Sequence, residues 1–152
     1  MTQAYISREE LRDHAGFTKL LADSIEEAST FTLQRTTATM AAGDFTVGVL
    51  LKECIFLGAY IEQAGDEGTD GTITIERWDN VGGSTQTAVS SAATLSAGAA
   101  AITTIPALTT TAIYCTAGEK INAVIASCNG AVAAYIVCYF KVVHDRSATR
   151  GP

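Results

Sequence analysis

The most constraining stretch of this chain is Glu119–Val143, where two apolar runs flank one strong turn signal. Lys120–Ser127 leads into Cys128-Asn129-Gly130, and Ala131–Val143 returns. Asn-Gly between β-branched and aromatic residues predicts a hairpin, because a type I′ turn needs positive φ at both central residues. On the returning run Ala133, Tyr135, Val137 and Tyr139 share one face, while Val132, Ala134, Ile136, Cys138 and Phe140 share the other. Neither face is polar, so the strand needs cover on both sides, with a neighbouring subunit as the second source. Tyr135, Val137 and Tyr139 are therefore candidate oligomer-interface residues, and a homo-oligomer is expected.

The remainder reads as a short leader followed by further strands. Ser7-Arg8-Glu9-Glu10 is a capping-box pattern that starts a helix ending near Gly16. Phe17, Leu20, Leu21 and Ile25 then recur at helical spacing, with Asp23, Glu26 and Glu27 facing away. This apolar stripe is a candidate partner-binding arm, against the alternative that it packs on its own domain. From Ser29 the period changes to two. Thr30–Thr36, Phe45–Leu51, Cys54–Gln63, Thr72–Trp78, Thr85–Val89, Ala99–Ile105 and Thr110–Cys115 read as strands. Ala42-Gly43-Asp44 and Ala117-Gly118-Glu119 read as turns, Lys52-Glu53 as a break, and Pro106 as an edge or loop position. Gly58 inside a strand predicts a bulge or a close backbone approach. The fold class is all-β, a jelly-roll-like β-sandwich with a short helical N-terminal leader. Residues 1–28 form the arm, 29–143 the sandwich and 144–152 a tail.

Charge and cysteine usage exclude several functions. The chain has 152 residues, enough for one core, and a net charge of −6 with an acidic leader and body and a short basic tail. Nucleic acid needs clustered Lys and Arg, so none is expected as a partner. With 47% hydrophobic residues the chain is too apolar for disorder, yet its longest apolar run, Ala131–Phe140, is too short to span a bilayer. No membrane partner and no secretory leader are expected. Val81–Gly118 lacks any charged residue, a composition suited to contact with other subunits. Cys54, Cys115, Cys128 and Cys138 form no C-x-x-C pair and read as buried small hydrophobes, with a zinc site or a disulfide framework, including one bridge between Cys115 and Cys128, the alternative.

No catalytic residues, metal ligands or cofactor are nominated. Gly65–Gly71 carries three carboxylates but neither a dinucleotide fingerprint nor EF-hand spacing, and reads as a solvated loop. His14 and His144 both lie near the ends of the chain, and no G-x-S-x-G is present. Glu62 and Glu76 read as solvent-facing. Tyr60 and Trp78, placed across a plausible hairpin, are a candidate sugar-stacking pair, with ordinary cross-strand aromatic pairing as the plainer account.

The run Gly48-Val49-Leu50-Leu51-Lys52-Glu53-Cys54-Ile55-Phe56-Leu57-Gly58-Ala59-Tyr60-Ile61 resembles small β-sandwich structural proteins of tailed bacteriophages, above all capsid decoration (cement) proteins. Gly71-Thr72-Ile73-Thr74-Ile75 and Ala117-Gly118-Glu119-Lys120-Ile121-Asn122-Ala123 extend that likeness, which spans about Thr46–Val143. The resemblance implies a non-enzymatic virion protein, assembled in the host cytoplasm, that forms trimers and clamps neighbouring major capsid proteins. A carbohydrate-binding or adhesin module using Tyr60 and Trp78 is the alternative.

Overall fold

The computed structural model describes residues 29–64, 70–79, 85–95, 102–129 and 133–143. The helical leader with Phe17, Leu20, Leu21 and Ile25, the tip of the acidic loop, the Gly130 turn and the tail lie outside these residues. In chain order the strands are β1 (Thr30–Thr37), β2 (Ala41–Val49), β3 (Cys54–Gln63), β4 (Gly71–Trp78) and β5 (Gln86–Ala88). They continue with β6 (Ala93–Leu95), β7 (Ile102–Pro106), β8 (Tyr114–Cys115), β9 (Lys120–Asn129) and β10 (Ala134–Val142).

Two sheets result. Sheet A has the order β1-β10-β3-β7, with β8 also paired to β3; sheet B has the order β2-β9-β4-β5, with β6 also paired to β4. β7 and β8 occupy successive stretches of one β3 edge, at Gly58–Glu62 and at Cys54–Ile55. β5 and β6 divide one edge of β4 in the same way. Each of these pairs is one strand broken in the middle. At the β5–β6 break the Ile75 amide donates to Ser90 Oγ at 2.8 Å, so a side chain replaces the missing ladder partner. Counted this way, the described residues form eight strands in two four-stranded sheets, with sequence neighbours from β1 to β4 in opposite layers and β4 followed by its own edge partner. That order is a jelly roll.

The core follows from period-two burial. Phe56, Ile61, Ile105, Ile136 and Phe140 project from sheet A against Ile73, Ile75, Leu95, Ile121 and Ile125 of sheet B, each at most 2% exposed. Phe140 stacks on Phe31 with ring centroids 5.2 Å apart and meets Phe56 edge-on at 5.5 Å. These are favoured aromatic geometries that add to the area buried.

Four expectations are corrected. β9 and β10 do not form a hairpin: β9 pairs with β2 and β4, while β10 lies between β1 and β3. Each of the two most apolar strands becomes a central strand of its own sheet, with partners on both edges and the opposite sheet across the core. That arrangement outweighs a local turn signal. Ala42-Gly43-Asp44 is not a turn but part of β2, where Gly43 takes φ +151° at a register shift against β9. Thr110–Cys115 is mostly a 3-10 turn, Thr111–Ile113, capped by Thr110 Oγ1 accepting from the Ala112 amide, and only two residues pair as β8. β3 and β4 are not a hairpin either, because they lie in different sheets.

The bulge expected at Gly58 is present. The register of β10 against β3 passes from Tyr139↔Gly58 to Phe140↔Phe56, leaving Leu57 as an extra residue. Gly58 adopts φ +141°, a conformation that side chains rarely tolerate. The bulge turns Leu57 outward beside the β10 tyrosines, and Pro106 closes the edge strand β7 opposite Gly58.

Candidate functional site

The outer face of sheet A carries the feature that the core does not explain. Alternation sends Ile136, Cys138 and Phe140 of β10 inward and Tyr135, Val137, Tyr139 and Lys141 outward. On β3, Tyr60 and Glu62 face the same way. Three tyrosines therefore meet: the Tyr60 ring lies 6.5 Å from Tyr135 in an edge-on arrangement and 6.0 Å from Tyr139. The Tyr135 hydroxyl donates to Gln34 Oε1 at 2.6 Å, which anchors one end of the group to β1. Burial, and then the neighbouring Tyr139 and Tyr135, push the Tyr60 phenol above its ordinary pKa, so it remains a neutral hydroxyl at physiological pH.

Val137 sits directly opposite Tyr60 in the register and is only 2% exposed, although it is not part of the inter-sheet core. Its same-face neighbours are Tyr135 and Tyr139, so the tyrosines roof it over. The exposed surface of this face is therefore made by Tyr139, 41% exposed, with Leu57 at 49% and Ile102 at 67%. Leu57, Tyr60, Ile102, Thr104, Pro106 and Tyr139 line a shallow open groove between β7 and β10. The face ends in opposite charges: Glu62 lies beside Tyr135 at one end and Lys141 beside Ile55 at the other.

Trp78 is elsewhere. It lies on the outer face of sheet B, donates from Nε1 to Glu76 Oε2 at 3.0 Å, and has Lys120 Nζ 5.0 Å from its ring centroid. Tyr60 pairs instead with Val137 and Thr104. The expected Tyr60–Trp78 stacking pair is therefore not assembled, because β3 and β4 belong to different sheets. Glu62 and Glu76 are separated for the same reason.

The buried carboxylate of Glu119 is a structural clamp. Its Oε1 pairs with Arg77 Nη1 at 2.6 Å, and its Oε2 accepts from the Thr116 amide at 2.7 Å. Its backbone carbonyl accepts from the Leu50 amide at 2.9 Å, and the Gly118 amide donates to the Leu50 carbonyl at 2.7 Å. Both carboxylate oxygens are thus engaged in holding the turn before β9 to β4. Among the described residues no three His, Cys, Asp or Glu side chains are grouped so as to hold a metal ion.

Sequence reasoning placed Tyr135 and Tyr139 on this face correctly but gave Tyr60 a different partner and missed Leu57 and Ile102. Leu57 is out of phase with the buried Phe56, and Ile102 with the buried Ile105, so both face outward in runs whose sequence does not alternate between apolar and polar residues.

No family model matches the chain, and none of the curated proteins does. Among solved structures it is similar to a chain in the structure of infectious bursal disease virus Gx strain, with 16% identity and a TM-score of 0.41 over 76% of this chain and 32% of that one. A chain from the Gt strain of the same virus gives 12% identity and a TM-score of 0.38, over 76% of this chain and 38% of that one. The present chain thus spans about a third of the length of the chains it matches.

Proposed function

We propose that this protein is a non-enzymatic virion structural protein, a capsid decoration (cement) protein that associates as a homotrimer and binds between major capsid protein subunits. The observation that carries the reading is the outer face of sheet A, where Tyr60, Tyr139, Leu57 and Ile102 form an aromatic and aliphatic surface. Aromatic residues are enriched in protein–protein interfaces, and Lys and Glu are depleted from their centres. A second copy of the chain is the occupant assigned to this face. Glu62 at one end and Lys141 at the other let each copy meet the next head to tail with opposite charges aligned, the heterologous contact that a closed trimer requires, whereas a highly charged partner would have nothing to pair with in between. The resemblance to phage decoration proteins supplies the trimer and the capsid, and the leader stripe Phe17, Leu20, Leu21 and Ile25 is assigned to the capsid contact.

The mechanism is mass action. A protein that binds the assembled shell and not its dissociated subunits stabilises the shell by RT ln(1 + [L]/Kd). No chemistry is required of it, and a jelly roll with a rigid aromatic face suffices. Assembly would take place in the host cytoplasm and the protein would reside on the virion. Co-sedimentation tests the reading: purified protein should pellet with assembled capsids of its own virus and stay in solution with unassembled capsid protein. Protein that stays in the supernatant with assembled capsids overturns it.

A further inference from the structure

Cys54 and Cys115 are 61 positions apart in sequence, yet they are direct partners in the register of β3 and β8. Both are 0% exposed. Opposed residues in an antiparallel pair have Cα atoms about 4.5–5.5 Å apart. That range falls inside the roughly 4.4–6.8 Å that a disulfide spans. Each thiol shifts the pKa of the other, and Cys115 Sγ donates to the Ile113 carbonyl oxygen at 3.5 Å.

We propose that Cys54 and Cys115 form a redox-convertible pair, held as thiols under reducing conditions and closed to a cross-strand disulfide by a disulfide oxidant such as oxidised glutathione. The step is two successive exchanges. The Cys54 thiolate attacks one sulfur of oxidised glutathione and releases one glutathione thiolate. The Cys115 sulfur then attacks the Cys54 sulfur of the mixed disulfide, forming the intramolecular S–S bond and releasing the second. The two thiol protons pass to the two glutathione thiolates, and the two electrons lost by the cysteines reduce the oxidant. The order follows the pKa directions, since the neighbouring Cys115 lowers the Cys54 pKa, whereas Cys54 and burial raise that of Cys115.

The other cysteines are not placed to compete. Cys138 lies in sheet A opposite Ala59, and burial pushes its thiol up to about 12. Cys128 lies in β9 of sheet B, so the expected Cys115–Cys128 alternative would have to cross between sheets. The bond would tie β8, a strand of only two residues that follows a 3-10 turn, to the start of β3. It would enclose most of β3 through β8 in a covalent loop, where closure costs the unfolded chain the most entropy.

The test uses the full chain, unfolded in reductant and refolded in mixed oxidised and reduced glutathione, so that burial does not limit access. After thiols are blocked by alkylation, trypsin cleaves at Lys52, Arg77, Lys120 and Lys141. Cys54 and Cys115 then fall on separate peptides, 53–77 and 78–120, while Cys128 and Cys138 share 121–141. The expected result is a linked 53–77/78–120 pair that separates on reduction, with the oxidised protein melting several degrees above the reduced form. Cys115→Ala should give no linked pair and a melting temperature indifferent to redox state. Four alkylated cysteines, a link to 121–141, or a bond that leaves the melting temperature unchanged or lower overturns the proposal.

Discussion

Replacing Gly58 by Ala tests whether the bulge that shapes the outer face of sheet A is built in. Gly58 holds φ +141°, and a Cβ there would lie 3.3 Å from the Ile105 carbonyl oxygen on the neighbouring strand. Forcing a non-glycine residue into this region costs about 1–3 kcal/mol. The stiffer unfolded chain of the alanine variant returns about 0.4–1 kcal/mol. The contact with Ile105, a backbone atom in a paired strand, cannot be relieved by rotating a side chain. The net loss is therefore about 2 kcal/mol. With a urea m-value of about 2 kcal/mol per M for a domain of this size, the unfolding midpoint should fall by about 1 M with m unchanged. Gly43→Ala is the control, because Gly43 has φ +151° but nothing within 4 Å of its would-be Cβ. It should lose stability from backbone strain alone, by less than Gly58→Ala. A Gly58→Ala protein with the wild-type midpoint, or one that loses less than Gly43→Ala, would refute the reasoning.

Two further substitutions probe the core and the clamp. Phe140→Ala removes a fully buried ring that touches both Phe31 and Phe56, and should cost about 3–5 kcal/mol in chemical denaturation; a loss under about 1.5 kcal/mol would mean that the site collapses around the hole. Arg77→Met leaves the Glu119 carboxylate with only the Thr116 amide as partner. Breaking a fully buried pair costs roughly 3–5 kcal/mol, and because the Arg77 side chain is 25% exposed the loss here should be smaller, about 2–3 kcal/mol. Adding Glu119→Gln to Arg77→Met should recover part of that loss, and strict additivity of the two single substitutions would show that the pair is not coupled.

How much of this was legible in the sequence depended on the range of the interactions involved. Thr72–Trp78 announces itself by alternation and Cys54–Gln63 as a short apolar run, and the structure gives strands at Gly71–Trp78 and Cys54–Gln63. The Gly58 bulge and the edge position of Pro106 were equally local, since glycine and proline constrain their own backbone. Pairing was not legible. Asn129-Gly130 looks the same whether the flanking strands pair with each other or separate into two sheets, and only competition from β2, β4, β1 and β3 decides between them. The Ala- and Thr-rich middle gave weak signals because those side chains suit either face, so β6 passed unnoticed and the 3-10 turn at Thr111–Ile113 read as a strand. The site divides the same way. Tyr135 and Tyr139 follow from period two on one strand, and Val137 shared their face but not their exposure. Tyr60 joins them, and Cys54 meets Cys115, through register with segments distant in sequence.

The role proposed for the outer face of sheet A is to join copies of this chain. The most direct test is molar mass by light scattering at micromolar concentration, for the wild type and for a Tyr139→Asp/Ile102→Asp variant. Both substitutions place a carboxylate on an already exposed position, so circular dichroism should show an unchanged β-sheet fold. The prediction is a wild-type mass about three times 15.9 kDa and a variant mass of 15.9 kDa. A wild-type monomer, or an assembly that survives both substitutions intact, would contradict the claim.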